Sequence, residues 1–178
     1  SGTTSIGANV STSGTQLYSS TITLTATPIT LTGTTITNSS TITGGTNSLT
    51  ITGNSVINGA ISGVVNFSVS GTTSIGANVS TSGTQTYTGA VTLTASPTLT
   101  SPTGTILFSS TVDGAQTLTI TNSGSTGDVT FTNAVGTTAL TGLTITTDVL
   151  NAAAIKSIGT LSVTNTGASS ITGIISEG

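Results

Sequence analysis

One sequence, SGTTSIGANVSTSGTQ, occurs twice in this chain, and this duplication constrains the fold more than any other feature. It runs from Ser1 to Gln16 and returns unchanged from Ser70 to Gln85. A period of this length is too long for one structural turn, so it indicates a duplicated block of several smaller units. We therefore predict two repeat blocks, 1–69 and 70–178, that continue into each other in one elongated structure.

Within each block, short runs alternate strictly between apolar and hydroxyl side chains. Residues 21–26 (TITLTA), 91–95 (VTLTA) and 117–121 (TLTIT) are three such runs. A period of two places every apolar side chain on one face of a strand, and β-branched residues favour strands. Gly, Asn or Pro interrupts the runs roughly every five to nine residues, which predicts many short strands. Only residues 148–156 (DVLNAAAIK) have any helical character, of one or two turns at most.

Two all-β architectures fit many short strands. One is a parallel β-solenoid, in which the chain winds in coils of about 20 residues that stack on one another. The other is a tandem pair of β-sandwich domains. The solenoid is favoured because the strands are short, because aromatic residues make up only 3% of the chain, and because Thr, Ser and Asn suit stacked ladders. It also explains the missing charge, since like charges repeated about 4.8 Å apart would repel along a ladder.

The scarcity of charge excludes several classes of partner. Charged residues make up 3% of the sequence, and they are Asp113, Asp128, Asp148, Glu177 and Lys156. A single Lys argues against nucleic acid, whose phosphates need several cations, and against an anionic membrane surface. No run of about 20 apolar residues is present, so no membrane insertion is predicted. The chain begins at Ser1 rather than Met, which indicates a mature fragment or an excerpt, and an export signal could lie upstream.

The sequence offers little catalytic chemistry. It contains no His and no Cys, so the available general bases are the four carboxylates and Lys156. It has neither a G-x-S-x-G nucleophile elbow nor a P-loop. A Ser-Lys pair of Lys156 and Ser157 is conceivable, but a solvated turn is the simpler interpretation. We therefore predict that the chain is not an enzyme, and we assign it no catalytic residue, no cofactor-binding residue and no cofactor.

A calcium site has only weak support. Asp113-Gly114 and Gly127-Asp128 could suggest one, but calcium sites use several oxygen ligands, usually from more than one carboxylate. Asp beside Gly is mostly turn chemistry. The sequence therefore predicts no metal site.

Pairs of Thr separated by one residue raise the question of an ice-binding face, which some antifreeze solenoids build from such pairs. The pairs are Thr23/Thr25, Thr30/Thr32, Thr41/Thr43, Thr50/Thr52, Thr92/Thr94 and Thr119/Thr121. An ice-binding face would need one constant coil spacing. The first four pairs begin at positions 23, 30, 41 and 50, so their spacing is unequal. Ordinary alternating strands are therefore the simpler interpretation.

Three stretches of the second block resemble the repeat arrays of giant bacterial haemagglutinin-like surface proteins, which are exported by two-partner secretion or as autotransporters. The stretches are 84–94 (TQTYTGAVTLT), 110–121 (STVDGAQTLTIT) and 128–143 (DVTFTNAVGTTALTGL). The resemblance covers 70–178 well and 1–69 more loosely, and it lies in composition and phrasing rather than in a catalytic signature. It implies a right-handed parallel β-helix, an extracellular location at the cell surface, and a role in adhesion or biofilm. It carries over no functional residues.

The leading functional hypothesis is therefore a rigid shaft within an exported bacterial surface adhesin or extracellular fibre. Its partners would be neighbouring repeats or identical subunits along the fibre, and a host or bacterial cell surface. An alternative is a self-assembling extracellular filament subunit, joined by coil stacking or by donation of a strand from Ser1–Val10 or Ser169–Ser176. An ice-binding solenoid is a more remote alternative. Tyr18 and Tyr87, which occupy equivalent places in the two blocks, are predicted to pack within the coil rather than to form exposed contacts.

Overall fold

The computed structural model describes residues 2–138, 140–156, 159–173 and 175–176, which form 21 β-strands and no helix. Every strand pairing is parallel. The predicted all-β parallel solenoid is thus confirmed, and tandem sandwiches are excluded because their neighbouring strands run antiparallel. Within these ranges no helix is available that could cross a membrane.

The strands are short except where the chain continues to pair as it turns a corner. In chain order they are β1 (Thr3–Ile6), β2 (Val10–Ser11), β3 (Gln16–Tyr18), β4 (Thr21–Leu24), β5 (Ile29–Asn38), β6 (Ile42–Ile57), β7 (Ile61–Val69), β8 (Thr73–Ile75), β9 (Val79–Thr81), β10 (Gln85–Tyr87), β11 (Val91–Leu93), β12 (Thr98–Thr100), β13 (Ile106–Phe108), β14 (Val112–Asp113), β15 (Thr117–Thr121), β16 (Asp128–Val135), β17 (Gly142–Thr147), β18 (Val149–Lys156), β19 (Leu161–Asn165), β20 (Ser170–Ile171) and β21 (Ile175–Ser176).

The strands stack in three parallel ladders, which form three faces of the solenoid. Face 1 begins with β1 and β4 and ends with β17 and β19. Face 2 begins with β2, includes β10 and β13, and ends with β20. Face 3 begins with β3, includes β8 and β11, and ends with β21. The long strands β5, β6, β7, β16 and β18 each contribute to more than one face. The chain visits faces 1, 2 and 3 in that order on each turn.

The turns differ in length, although the ladders stay in register. There are about eight turns. A short turn leads from Ile57 to Ile75 on face 3, whereas a longer one leads from Leu118 to Leu143 on face 1. The additional residues lie at the corners, where they do not disturb the pairing. Eight steps of about 4.8 Å give a stack about 38 Å high.

Inward side chains form continuous columns along the axis. One column on face 2 runs through the stack and consists of Val10, Leu31, Ile51, Val69, Tyr87, Phe108, Phe131, Ala152 and Ile171. Its rings stack, with centroids 5.1 Å apart between Tyr87 and Phe108 and 4.9 Å apart between Phe108 and Phe131. Such pairs contribute about 0.5–1.5 kcal/mol beyond the apolar area that they bury. The prediction that Tyr87 packs within the coil is confirmed, and Tyr18 is half-buried.

The one segment with helical character is a strand. Residues 149–156 form β18, which pairs with β16 over most of its length. Leu150, Ala152 and Ile155 point inward and are buried. Tertiary pairing therefore outweighs the helix propensity of the three alanines, which is small for each residue.

The two copies of the duplicated segment fold alike but lie on different faces. The first copy supplies β1, β2 and the start of β3 on faces 1, 2 and 3. The second supplies β8, β9 and the start of β10 on faces 3, 1 and 2. The step from the first copy to the second therefore corresponds to three turns and two further faces. The segment specifies a sequence of strands and corners, not a place on the solenoid.

Candidate functional site

The second copy of the duplicated segment ends in a glutamine, Gln85, which is the first residue of β10. Gln85 is fully buried. Its side-chain Nε2 donates to the carbonyl oxygens of Thr100 at 2.8 Å and Val79 at 3.2 Å, and to the hydroxyl of Thr81 at 3.3 Å. Its Oε1 accepts a hydrogen bond from the hydroxyl of Tyr87 at 3.0 Å. Burial raises the pKa of Tyr87, so this hydroxyl remains a donor. The cluster holds two strands and the next coil together.

The first copy repeats this arrangement at the edge of the stack. The Nε2 of Gln16 donates to the carbonyl oxygen of Thr32 at 2.7 Å, and the hydroxyl of Tyr18 donates to Gln16 Oε1 at 2.7 Å. Neither glutamine was predicted from the sequence. The available signal was that each copy of the segment ends in Gln and is followed two positions later by Tyr.

Other polar side chains, four of them buried and one exposed in the last coil, bind the carbonyl groups at the corner after face 1. Each of five stacked residues donates a hydrogen bond to a backbone oxygen, at distances from 2.6 to 3.0 Å. The five are Thr81, Ser101, Asn122, Thr147 and Asn165. Buried backbone acceptors at corners lie outside the ladders and need such partners. These residues therefore stabilise the corner rather than form a binding site.

Two of the three described aspartates, Asp113 and Asp148, accept structural hydrogen bonds, and Asp128 lies beside Asp148 in the neighbouring coil. Asp113 lies at the end of β14 on face 3, whereas Asp128 begins β16 on face 2, so the structure does not bring together the two residues considered for calcium. Asp113 Oδ1 accepts hydrogen bonds from the Thr137 hydroxyl at 2.5 Å and the Thr138 amide at 2.8 Å. Asp148 Oδ1 accepts one from the hydroxyl of Thr166 at 2.6 Å. In the described ranges, no three potential metal-binding side chains cluster.

The remaining charged residues are Lys156 and Glu177, and the described structure also has a surface hollow. Lys156 ends β18 with an exposed side chain, and Ser157, the partner considered for it, lies outside the described residues, as does Glu177. A surface hollow of about 460 Å³ lies at the corner after face 1. Its lining is neutral and consists of glycine, serine, threonine, valine and proline residues, among them Thr46, Ser80 and Pro102.

Face 1 aligns hydroxyl pairs that the sequence spacing does not reveal. Four consecutive strands place such pairs in register, namely Thr98/Thr100, Thr119/Thr121, Thr144/Thr146 and Ser162/Thr164. Thr30/Thr32 lies beside Thr50/Thr52 in the same way on face 2. The unequal gaps therefore do not exclude a common register, because successive pairs along the chain lie on different faces: Thr23 is on face 1, whereas Thr30 is on face 2. Thr92 is an exception, since its neighbours are Ser74 and Asp113.

Known proteins offer no relative whose function could be compared with that of this chain. No protein-family model, no curated protein and no solved structure matches this chain. The resemblance to haemagglutinin-like repeat arrays therefore stays a prediction, and the function has to be inferred from the solenoid itself.

Proposed function

We propose that this chain is a rigid shaft segment of an exported bacterial surface adhesin or extracellular fibre. The observation that carries the proposal is the inward column on face 2, which runs from Val10 to Ile171 with a residue from every coil. In a solenoid each coil contacts only its neighbours, so stiffness depends on every coil-to-coil contact being filled. A column without a gap leaves no coil at which the rod could hinge.

The outward surface supports the same proposal. Thr and Ser hydroxyls alternate with the buried residues and keep the surface wet without charge, so stacked coils do not repel one another. A rod with so few charges, repeated along a longer fibre, suits the space outside a cell, where it would hold a binding tip away from the surface. Binding to a host or bacterial cell would then be a property of the tip, with the shaft contacting its neighbouring repeats.

Rigidity can be measured across the stack with two spin labels. Ser5 and Thr164 occupy the same outward column of face 1, eight steps apart, and both are exposed. The chain has no native cysteine, so Ser5→Cys with Thr164→Cys gives two defined attachment points. With the labelled protein diluted into excess unlabelled protein, so that only label pairs within one molecule are measured, we expect a single narrow distance distribution centred at about 38 Å. A broad distribution would contradict a rigid shaft.

The biological role needs a second experiment. The chain is placed between an outer-membrane anchor and a binding tip on a bacterial surface, and adhesion is measured under flow. The control replaces the chain by a Gly/Ser linker with the same mean span, which is flexible. The shaft proposal predicts stronger adhesion with the solenoid. Equal adhesion with the flexible linker would refute it.

A second candidate function is favoured by the aligned hydroxyl pairs on face 1. Neighbouring pairs repeat about every 4.8 Å along the axis, and the two hydroxyls of a pair lie about 6.6 Å apart along the strand. A regular, uncharged array of this kind could order water in an ice-like lattice, so we also propose ice binding. Thermal hysteresis of the protein tests this. Thr121→Lys on face 1 should abolish the effect and Thr130→Lys on face 2 should preserve it, whereas no hysteresis in the unaltered protein would rule out this function.

A further inference from the structure

The duplicated segment shows the same side chains at an edge and in the interior. Thr73 in the second copy is 2% exposed, whereas its counterpart Thr4 in the first copy is exposed. Tyr87 is fully buried, whereas its counterpart Tyr18 is half-buried. The sequence of the segment is identical, so the difference comes from the neighbours. The second copy lies between two coils, and the described structure covers the first copy on one side only.

The backbone at this edge has the same asymmetry. Among the described residues, β1, β2 and β3 each pair only with the coil that follows them. In the interior copy, the amide of Gly76 donates to the carbonyl oxygen of Ile57 in the preceding coil at 2.8 Å. Gly7 holds the same place in the first copy. Among the described residues, the first coil thus has the sequence of an interior coil and an unpaired outer strand edge, and an open edge of this kind invites pairing.

The opposite end of the stack offers a matching edge. In the part of the chain that the structure describes, β19 pairs only with β17, and β20 and β21 pair only with β18. Leu161, Val163 and Ile171 are packed against the core there but remain partly exposed. The strands β19, β20 and β21 lie on faces 1, 2 and 3, in the same order as β1, β2 and β3. Translating one molecule along the solenoid axis therefore places each face of its first coil on the same face of the other molecule's last coil, and no rotation about the axis is needed.

Among the residues that the structure describes, the side chains of the two edge coils carry no charge that would oppose the contact. Residues 2–20 and 159–176 contain no Asp, Glu, Lys or Arg. Burial of a charge between coils would be costly unless it were paired, whereas neutral Thr and Asn side chains already occupy interior columns of this solenoid. The two edges are therefore compatible in strand order, strand direction and charge.

We propose that the first coil of one molecule docks on the last coil of a second copy of this chain. The strands β1, β2 and β3 extend the ladders of β19, β20 and β21 as parallel neighbours. Two different surfaces meet in this contact, so it does not close on itself, and repetition produces an unbranched fibre. The inference is separate from the shaft proposal, because a shaft can equally be built from one long chain.

A single buried charge tests the contact. Thr4 holds the inward position that is buried at Thr73, so a docked coil would cover it, and Thr4→Glu would then place a carboxylate between the two coils. Ser5→Glu is the matched control, because Ser5 points outward in the same strand and is exposed. Sedimentation velocity and electron microscopy over a concentration series measure assembly. We expect the unaltered protein and Ser5→Glu to form rods that lengthen with concentration, and Thr4→Glu to need at least about tenfold more protein.

The polarity of the contact gives a second readout. A Thr4→Glu molecule is blocked only at its first coil, so its last coil still accepts the first coil of an unaltered molecule. Small amounts of Thr4→Glu, folded as judged by circular dichroism, should therefore shorten fibres of the unaltered protein. Single-length rods of the unaltered protein at all concentrations would overturn the proposal. Fibres of equal length from the unaltered protein and Thr4→Glu would also overturn it, because the contact would then lie elsewhere.

Discussion

Replacing Gln85 by Ala should destabilise the solenoid far more than the same change at Gln16, although the two residues lie in identical segments. Gln85→Ala removes the partner of the Tyr87 hydroxyl, which is fully buried and out of reach of water. It also removes a donor to the carbonyl oxygen of Thr100. Gln16→Ala breaks the corresponding bonds at the edge, where Tyr18 is half-buried and its hydroxyl can bind water instead.

The magnitude follows from the number of polar groups left without a partner. A buried donor or acceptor without a partner costs about 1–3 kcal/mol. Two such groups, together with the small cavity that the shorter side chain leaves, give a loss of about 3–5 kcal/mol in the free energy of unfolding for Gln85→Ala. Gln16 is also buried, at 6% exposure, but it lies in the outermost described coil beside the half-buried Tyr18, so water can replace part of the lost hydrogen bonding and the loss should be smaller, about 1–2 kcal/mol.

Urea unfolding monitored by far-ultraviolet circular dichroism measures both losses. The free energy of unfolding should depend on urea concentration with a similar slope in the two variants and the unaltered protein, so that a shift of the urea midpoint measures the change in stability. A larger slope change for Gln16→Ala would indicate fraying of the end coil, which hydrogen exchange can detect independently. Equal losses for the two variants would refute the idea that burial of the corner, rather than its local sequence, determines its contribution.

Two further predictions concern the interior. The Thr73 hydroxyl is buried without a hydrogen-bond partner among the described residues, so Thr73→Val should raise the free energy of unfolding by about 1 kcal/mol. The control Thr4→Val should change the free energy of unfolding little. A decrease for Thr73→Val would show that the hydroxyl does form a hydrogen bond. Burial raises the pKa of Tyr87, so the unfolded chain loses a proton near about pH 10 that the folded chain keeps. Stability should then be constant with respect to this group below about pH 10 and fall above it by about 1.4 kcal/mol per pH unit. Urea unfolding measured across that pH range should show that Tyr87→Phe abolishes most of this loss of stability. If the free energy of unfolding fell with pH equally steeply in Tyr87→Phe, the assignment to Tyr87 would be contradicted.

The strand pattern was predictable because it depends on local chemistry. Alternation of apolar and hydroxyl residues, as in residues 117–121, specifies a strand with one buried face whatever its neighbours are. Gly and Asn at the breaks specify corners in the same local way. The short aromatic-poor strands then favour stacked coils over sandwiches, and the structure has stacked coils.

The register was not predictable because it depends on corner lengths. The turn from Leu118 to Leu143 is longer than the turn from Ile57 to Ile75, and nothing in the sequence spacing marks which residues lie at corners. The gaps between Thr pairs are uninformative for a related reason, because successive pairs such as Thr23/Thr25 and Thr30/Thr32 lie on different faces. The inward position of Gln85 was equally hidden, because a glutamine between two Thr residues normally suggests an outward side chain.

The placement of the two identical segments on different faces has a consequence for how such a chain can change in length. Genetic exchange between the copies would remove or insert one complete first block, which is three turns and two faces rather than a whole number of turns. Each coil contacts only the coil before it and the coil after it. If the first block is removed, every coil after Ser70 therefore keeps its contact with the coil that follows it. The rotation of the remaining rod by one face disturbs no pairing. Each exchange would change the rod by about 18 Å, so a gene of this kind can vary the reach of its product in steps without redesigning a single contact along most of the stack.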